Sequence, residues 1–526
     1  MRGLPSHIKT SLEDIMKKLL LSVLAIATIL SLNSCGEEFV DNSKIGSINS
    51  ENFFEDSENA KSAIVGLNDL MQFTYGQDWH SAFLVKLLPG DDANAAGGNS
   101  GDQQQLQDID DYTAVSTANP SIANVWANFY KTIGLANLIV DKVGEGNLSD
   151  KDAILAEAKF FRAWSYFELT TMFGDIPLRK SLPAGDEDLP IGKSPRAEVY
   201  DFIEADLTAA IAGLPDKTAI ESDYRVSKGS AQALMGKMLV FAERYTDAIP
   251  YLSSVISNPA HDLEADVSTI WSQGTDFGKQ SLFEIGYVSS KNYDWGAANL
   301  EWGGRVESNL HIQLMGPRGD GIFELGSTGL SNGWGFNLPT AKLVTAFNDT
   351  GDTVRKAASL LEESELIAAG GAVNPPADGV WDYEGAIRVK FAPRPEDTAG
   401  GVGELNYTTN WRLFRYAEVL LLAAEAYNKA GQDGPARTEL NKVRVRAGLA
   451  ADNTSSGTAL LDVIVNEKFF ELAQEGQRFW DLVRWGTVST ELAGTGYSMK
   501  NNLFPIPVNE INLNEGLTPA DQNPGY

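Results

Sequence analysis

SKGSAQALMGKMLVFAERYTDAIPYLSSVI, residues 227–256, reads as two helices folded back on each other. The first is built on small residues, which let another helix come close. The break falls near Arg244-Tyr245, and the second helix carries Ala248 early. WRLFRYAEVLLLAAEAYNKAG (411–431) followed by GPARTELNKVRVRAG (434–448) repeats the texture. The alanines permit close approach and the aromatics fill the remaining gaps.

Further helices surround these pairs. Ala60, Ala63, Ile64, Leu67, Leu70 and Met71 recur at three- and four-residue steps. In 121–143, Ile122, Val125, Trp126, Phe129 and Ile133 form one stripe. Another helix runs from about Ser149 to Gly174 with Pro177 beyond, and another over 197–214 is closed by Pro215. The hairpins have a tetratricopeptide-like texture, but their match to that repeat is loose and the units lie far apart. The expected fold is mainly α: an irregular tetratricopeptide-like helical scaffold.

Between about 259 and 409 the composition shifts to Gly, Trp, Asn and Ser. Only LPTAKLVTAFNDT (338–350) and TVRKAASLLEESELIAAG (353–370) look helical, and SLFEIGY (281–287) and AIRVKF (386–391) look like strands. This is a loop-rich, partly β insertion on a helical frame. GDDANAAGGNSGDQQQLQDIDD (90–111) is a second loop-rich patch. Binding residues concentrate on loops held by rigid scaffolds.

The chain has 526 residues and a formal charge of −29. Such acidity disfavours nucleic acid and anionic lipid head groups as partners. Hydrophobic residues make up 43%, enough for a large core. Four histidines without paired metal spacing argue against a zinc enzyme.

The single cysteine, Cys35, closes a leader: Lys17-Lys18, then LLLSVLAIATILSL (19–32), then Asn33-Ser34. The apolar run is shorter than the ~20 residues a spanning helix needs. This layout resembles a bacterial lipoprotein signal, in which the thiol is acylated and residues 1–34 are removed. Glu13 and Asp14 ahead of the basic pair point to translation from Met16. Residues 35–50 read as the acylated terminus and tether, and 51–526 as one domain.

Four blocks, in order along nearly the whole mature chain, resemble the SusD/RagB family of outer-membrane nutrient-binding lipoproteins of Bacteroidetes. They are AEAKFFRAWSYFELTTMFGDIPL (156–178), RYAEVLLLAAEAYNKAG (415–431), NEKFFELAQEGQRFWDLVRWG (466–486) and LFPIPVNEINLNEGLTPADQNPGY (503–526). The resemblance implies a cell-surface protein that captures a glycan, or in a minority a peptide. It passes the ligand to a SusC-like TonB-dependent outer-membrane transporter and does no chemistry. Glu37 and Glu38 after the cysteine fit surface export, and Cys35 is the lipidation site.

Flat aromatic rings take the apolar C–H face of a sugar, while Asp, Asn, Gln and Arg take its hydroxyls. Of eleven tryptophans, Trp126, Trp164, Trp411, Trp480 and Trp485 lie on helical stripes and read as core. Trp79, Trp271, Trp295, Trp302, Trp334 and Trp381 lie in loop-rich sequence. Three clusters suit a glycan: TYGQDWH (74–80) with Gly90 to Asn94, KNYDWGAANLEWGGR (291–305), and SNGWGFN (331–337). The candidate glycan-binding residues are Trp79, Trp295, Trp302, Trp334, Tyr75, Tyr293, Asp91, Asp92, Asn94 and Arg305. No cofactor is expected, though Asp91 and Asp92 also suit a calcium ion. Arg162, Trp164, Arg412 and Arg415 read as packing or buried ion-pair residues. Glu467, Glu471 and Glu475 read as a solvated or ion-paired ladder and less well as glycosidase carboxylates. The acidity favours a neutral glycan, a laminarin-type β-glucan among them. Peptide capture, hydrolysis and a purely structural scaffold are the competing functions.

Overall fold

Residues 227–256 do form a helical hairpin. Helix Lys228–Phe241 starts at Ser227, whose hydroxyl accepts from the Ser230 N–H while the Ser230 hydroxyl accepts from the Ser227 N–H. That reciprocal cap satisfies two otherwise unpaired donors. Helix Tyr245–Ile256 returns against it. The two meet at Gly236, where an added Cβ would lie 2.4 Å from Leu252 Cδ2 and 2.5 Å from its Cγ. Alanine in a helix normally gains up to about 1 kcal/mol over glycine, but overpacking a core costs about 1–3 kcal/mol. Gly236→Ala is therefore expected to lower stability by about 1–2 kcal/mol in urea unfolding. The loss should vanish in a Leu252→Ala background. A Gly236→Ala protein more stable than wild type would show that the contact is not tight.

The coordinates are a computed structural model that describes residues 53–76, 80–290, 292–295, 307–377, 379–398 and 400–526. Within Phe54–Tyr526, which hold together as one unit, consecutive helices pack as neighbours. Helix Lys151–Phe173 lies between Pro120–Glu145 and Arg196–Gly213. It is buried almost all round, as a helix with apolar side chains on every face must be. It stops at Gly174, which has φ +80° and no room for a Cβ, since Leu503 Cδ1 would be 2.8 Å away. Helix Tyr416–Lys429 packs against both Tyr245–Ile256 and the helices Asp433–Arg446 and Gly457–Glu471. It thereby joins the central hairpin to the C-terminal one. Among the described residues no helix is long and apolar enough to cross a membrane.

The structure departs from expectation in three places. Trp411–Arg415 is a strand, antiparallel to Ser281–Ile285, and the helix begins only at Tyr416. Trp411 and Phe414 are core residues of that strand, so Trp411 is buried as expected but not on a helical stripe. Helical reading of 353–370 is interrupted by strand Leu360–Glu362, which pairs with Ala386–Arg388. Its two leucines face a β partner, and tertiary pairing overrides local preference. The patch 90–111 holds strand Ala93–Ala96 and helix Gln104–Asp110. Strand Ala93–Ala96 runs antiparallel to Phe336–Pro339, with Asn94 opposite Leu338 and Ala96 opposite Phe336.

The charges that the sequence marks as packing or ion-pair residues lie inside the frame. Arg162 donates to both oxygens of Asp206, at 2.7 Å each, and to Asn137 Oδ1. Arg412 pairs with Asp276 at 2.8 Å. The ladder Glu467, Glu471 and Glu475 is ion-paired, not solvated, with side chains at most 7% exposed. Glu471 meets Arg415 at 2.6 Å and Arg446 at 2.5 Å, and Glu475 meets Arg415 at 2.7 Å and Lys390 at 2.9 Å. Burial opposes ionisation of Glu471, but Arg446, Arg415 and Arg355 outweigh it and hold its carboxyl well below the usual range.

Candidate functional site

The segment SNGWGFN runs into strand Phe336–Pro339, which pairs with the distant strand Ala93–Ala96, and its Asn332, Gly333, Trp334 and Phe336 line a cleft of about 720 Å³. Trp295, Trp334, Gln313, Arg318, Asp102 and Glu404 are among its lining residues. Trp295 is 54% exposed. Its ring centroid is 6.3 Å from that of Trp334, and the two planes are 29° apart. Two nearly parallel indoles at the rim of a large cleft are a platform for flat, partly apolar rings.

The seat of Trp334 is built by its glycine neighbours. The Trp334 N–H donates to the Gln313 carbonyl at 2.9 Å, and Arg318 Nη1 donates to the Trp334 carbonyl at 3.1 Å. A Cβ on Gly333 would lie 2.3 Å from the Gln313 carbonyl oxygen, and one on Gly335 would lie 2.7 Å from Arg318 Cβ. Gly335 also has φ +80°, a region open to few other residues. The main chain thus runs flush against 313–318, and the indole stands clear of it.

Charge in the cleft is mostly negative. Among the described residues, Asp102, Asp320 and Glu404 line it together with one cation, Arg318. Arg318 stands 3.3 Å from Asp320 and 3.8 Å from Asp102. Asp102 also accepts from the Gly98 N–H at 2.8 Å, which fixes the turn beneath it. A polyanion entering here meets more like charge than opposite charge.

Several expected site residues are elsewhere. Asp91 is buried and bound to Arg478 at 2.8 Å and Lys342 at 2.5 Å. Burial opposes its ionisation, but these two cations hold its carboxyl below the usual range. Asp92 is fully buried and accepts from the Gln474 N–H at 2.6 Å. Both acids brace the frame instead of facing the cleft, and Asp91 already has two cationic partners where a calcium ion would have to sit. Among the described residues no group of three or more His, Cys, Asp or Glu is arranged to hold a metal. Tyr75 is buried, its hydroxyl accepting from Trp164 Nε1 at 2.9 Å. Tyr293 is buried against Leu405, and its hydroxyl accepts from the Glu307 N–H at 3.1 Å. Asn94 is half-buried and donates to the Asp382 carbonyl at 3.2 Å. Trp271 is core, packed on Phe391 at 4.6 Å, and half-buried Trp381 donates to Gln107 at 3.1 Å. Trp79, Trp302, Arg305 and Cys35 lie outside the described residues.

Gln313, Arg318, Asp102 and Glu404 were not among the candidates. Arg318-Gly319-Asp320-Gly321 carries a turn signal with two charges, which is the only sequence hint to this side of the cleft. Gln313 has none, because it sits in the short helix Leu310–Met315 inside sequence that reads as irregular.

A mostly helical frame with a tryptophan-rimmed cleft on its loop-rich part defines the class. The SusD family model matches residues 357–501, and a SusD-like model described as starch-binding and associating with the outer membrane matches residues 33–240. Over both stretches the chain is similar to SusD-family proteins. It is 28% identical to SusD-like protein P2 of Formosa agariphila over 95% of this chain and 98% of that one. It is 25% identical to the starch-binding protein SusD of Bacteroides thetaiotaomicron, over 80% and 82% of the two chains. Among solved structures, a laminarin binding SusD-like protein superposes with a TM-score of 0.79 at 28% identity, covering 90% of this chain and all of that one.

Proposed function

We propose that this protein is a cell-surface lipoprotein that captures a neutral oligo- or polysaccharide and hands it to a SusC-like TonB-dependent transporter, with acylated Cys35 as its anchor. The observation that carries this is the near-parallel pair Trp295 and Trp334 at the rim of the 720 Å³ cleft. Among the described residues, the excess of carboxylates over Arg318 favours a neutral ligand over an anionic one. A laminarin-type β-glucan is the first choice, supported by the similar laminarin-binding structure. A non-catalytic role is supported by the engagement of Glu467, Glu471 and Glu475 with buried cations, away from the cleft.

Titration calorimetry against laminarin, starch and alginate tests this. Laminarin should bind and alginate should not. Trp295→Ala and Trp334→Ala should each weaken binding about tenfold or more, which corresponds to about 1.4 kcal/mol. That is the size expected when one stacking ring and its buried area are removed. Binding to alginate alone, or unchanged laminarin affinity in both variants, would overturn the proposal.

A further inference from the structure

Gln313 lines the floor of the cleft and is only 2% exposed. Its carbonyl accepts the hydrogen bond that seats Trp334, so its main chain is fixed beneath that ring. The helix that carries it is held as well. Asn309 caps the Leu310–Met315 helix by accepting from the His311 N–H, and its own amide donates to the Thr409 carbonyl at 2.8 Å. On this rigid base the side-chain Oε1 of Gln313 is buried without a hydrogen-bond partner.

An acceptor buried without a donor costs free energy, and native structures keep few of them. Gln313 is also one of the residues that line the cleft, so its buried amide lies close behind the cleft surface. Rotation about χ3, a soft torsion, turns the amide towards the cleft without moving the helix. A hydroxyl lying in the cleft can then donate to it. An amide also suits this task chemically, because it stays neutral among Asp102, Asp320 and Glu404 and offers a donor beside its acceptor.

We propose that Gln313 is a specificity-determining residue. Its Oε1 accepts a hydrogen bond from one hydroxyl of a neutral sugar ring resting against Trp334. A sugar that lacks that hydroxyl, or carries it as an ether, ester or sulfate, cannot donate there and leaves the acceptor unpaired. Discrimination by an unmet buried polar group is much stronger than discrimination by lost apolar contact. The inference rests on the cleft being the glycan site.

The test is calorimetry of the full mature chain with laminarihexaose, run beside thermal unfolding, on wild type, Gln313→Met, Gln313→Glu and Trp334→Ala. Gln313→Met should bind about tenfold or more weakly while its Tm stays equal or rises, because an orphaned acceptor has been removed. Gln313→Glu keeps an acceptor at the same reach and should recover most of the affinity. Wild-type affinity in Gln313→Met, with Trp334→Ala defective, would overturn the inference and leave the glycan site standing. A joint fall in affinity and Tm that Gln313→Glu fails to restore would assign Gln313 to packing and also overturn it. If Trp334→Ala binds as wild type does, the glycan site itself is what fails.

Discussion

Arg415→Met should lower the unfolding free energy by about 3–5 kcal/mol, the usual result of removing one partner from a buried ionic cluster. Arg415 donates from Nε to Glu475 at 2.7 Å and from Nη1 to Glu471 at 2.6 Å, and its charge lies 5.5 Å from the Trp271 ring. Its side chain and those of both acids are at most 7% exposed. Without it, two carboxylates stay in the interior with less compensation than their desolvation requires. Arg446, Arg355 and Lys390 keep part of that compensation, which is why the loss is bounded. Against a total stability of about 5–15 kcal/mol for a domain, this is a large fraction. Arg415→Lys should rescue little, because a point charge cannot reproduce a fork engaging two acids. Guanidinium unfolding at pH 7 measures both variants. A midpoint unmoved in Arg415→Met would show that Arg415 contributes no net stability to the cluster.

The second large effect depends on pH. Asp92 is fully buried, and burial, reinforced by the neighbouring charge of Asp91, pushes its carboxyl up to about 6. The unfolded chain ionises the same group near 3.8. Between those values the folded protein holds a proton that the unfolded chain has released. This carboxyl therefore costs nothing below about pH 4 and destabilises the fold progressively as pH rises through 6. A difference of roughly two units corresponds to about 3 kcal/mol. Asp92→Asn removes the penalty and keeps an acceptor for the Gln474 N–H. Relative to wild type, the variant should match it near pH 4 and gain up to about 3 kcal/mol by pH 7. Urea unfolding at pH 4, 5, 6 and 7 checks the sign. A variant that is less stable than wild type at pH 7 would mean that ionised Asp92 is a net stabiliser through Arg388.

These two residues show what the sequence makes legible and what it conceals. Helices such as Pro120–Glu145 and Lys151–Phe173 are written in local spacing, so periodicity finds them. Strand Trp411–Arg415 is invisible in that way, since its partner Ser281–Ile285 lies about 130 residues upstream. Asp91 and Asp92 look like exposed loop acids beside glycine. Their partners Arg478 and Lys342 come from distant segments, and only the folded chain brings them together. Trp334 was legible because its reason for prominence is local: a glycine on each side. Gln313 was not, because its importance comes from a ring twenty-one positions away and from a hydrogen bond its side chain does not make.

The antiparallel pairing of Ala93–Ala96 with Phe336–Pro339 has a consequence for anyone wishing to transplant ligand preference between such proteins. The cleft wall is not a cassette. A graft of 331–337 alone would import the indole but leave behind the 313–318 segment on which its glycines lie and the strand that pairs with 336–339. The surroundings of Trp334 can be moved only as three co-adapted pieces, and recombination at a single breakpoint would separate them.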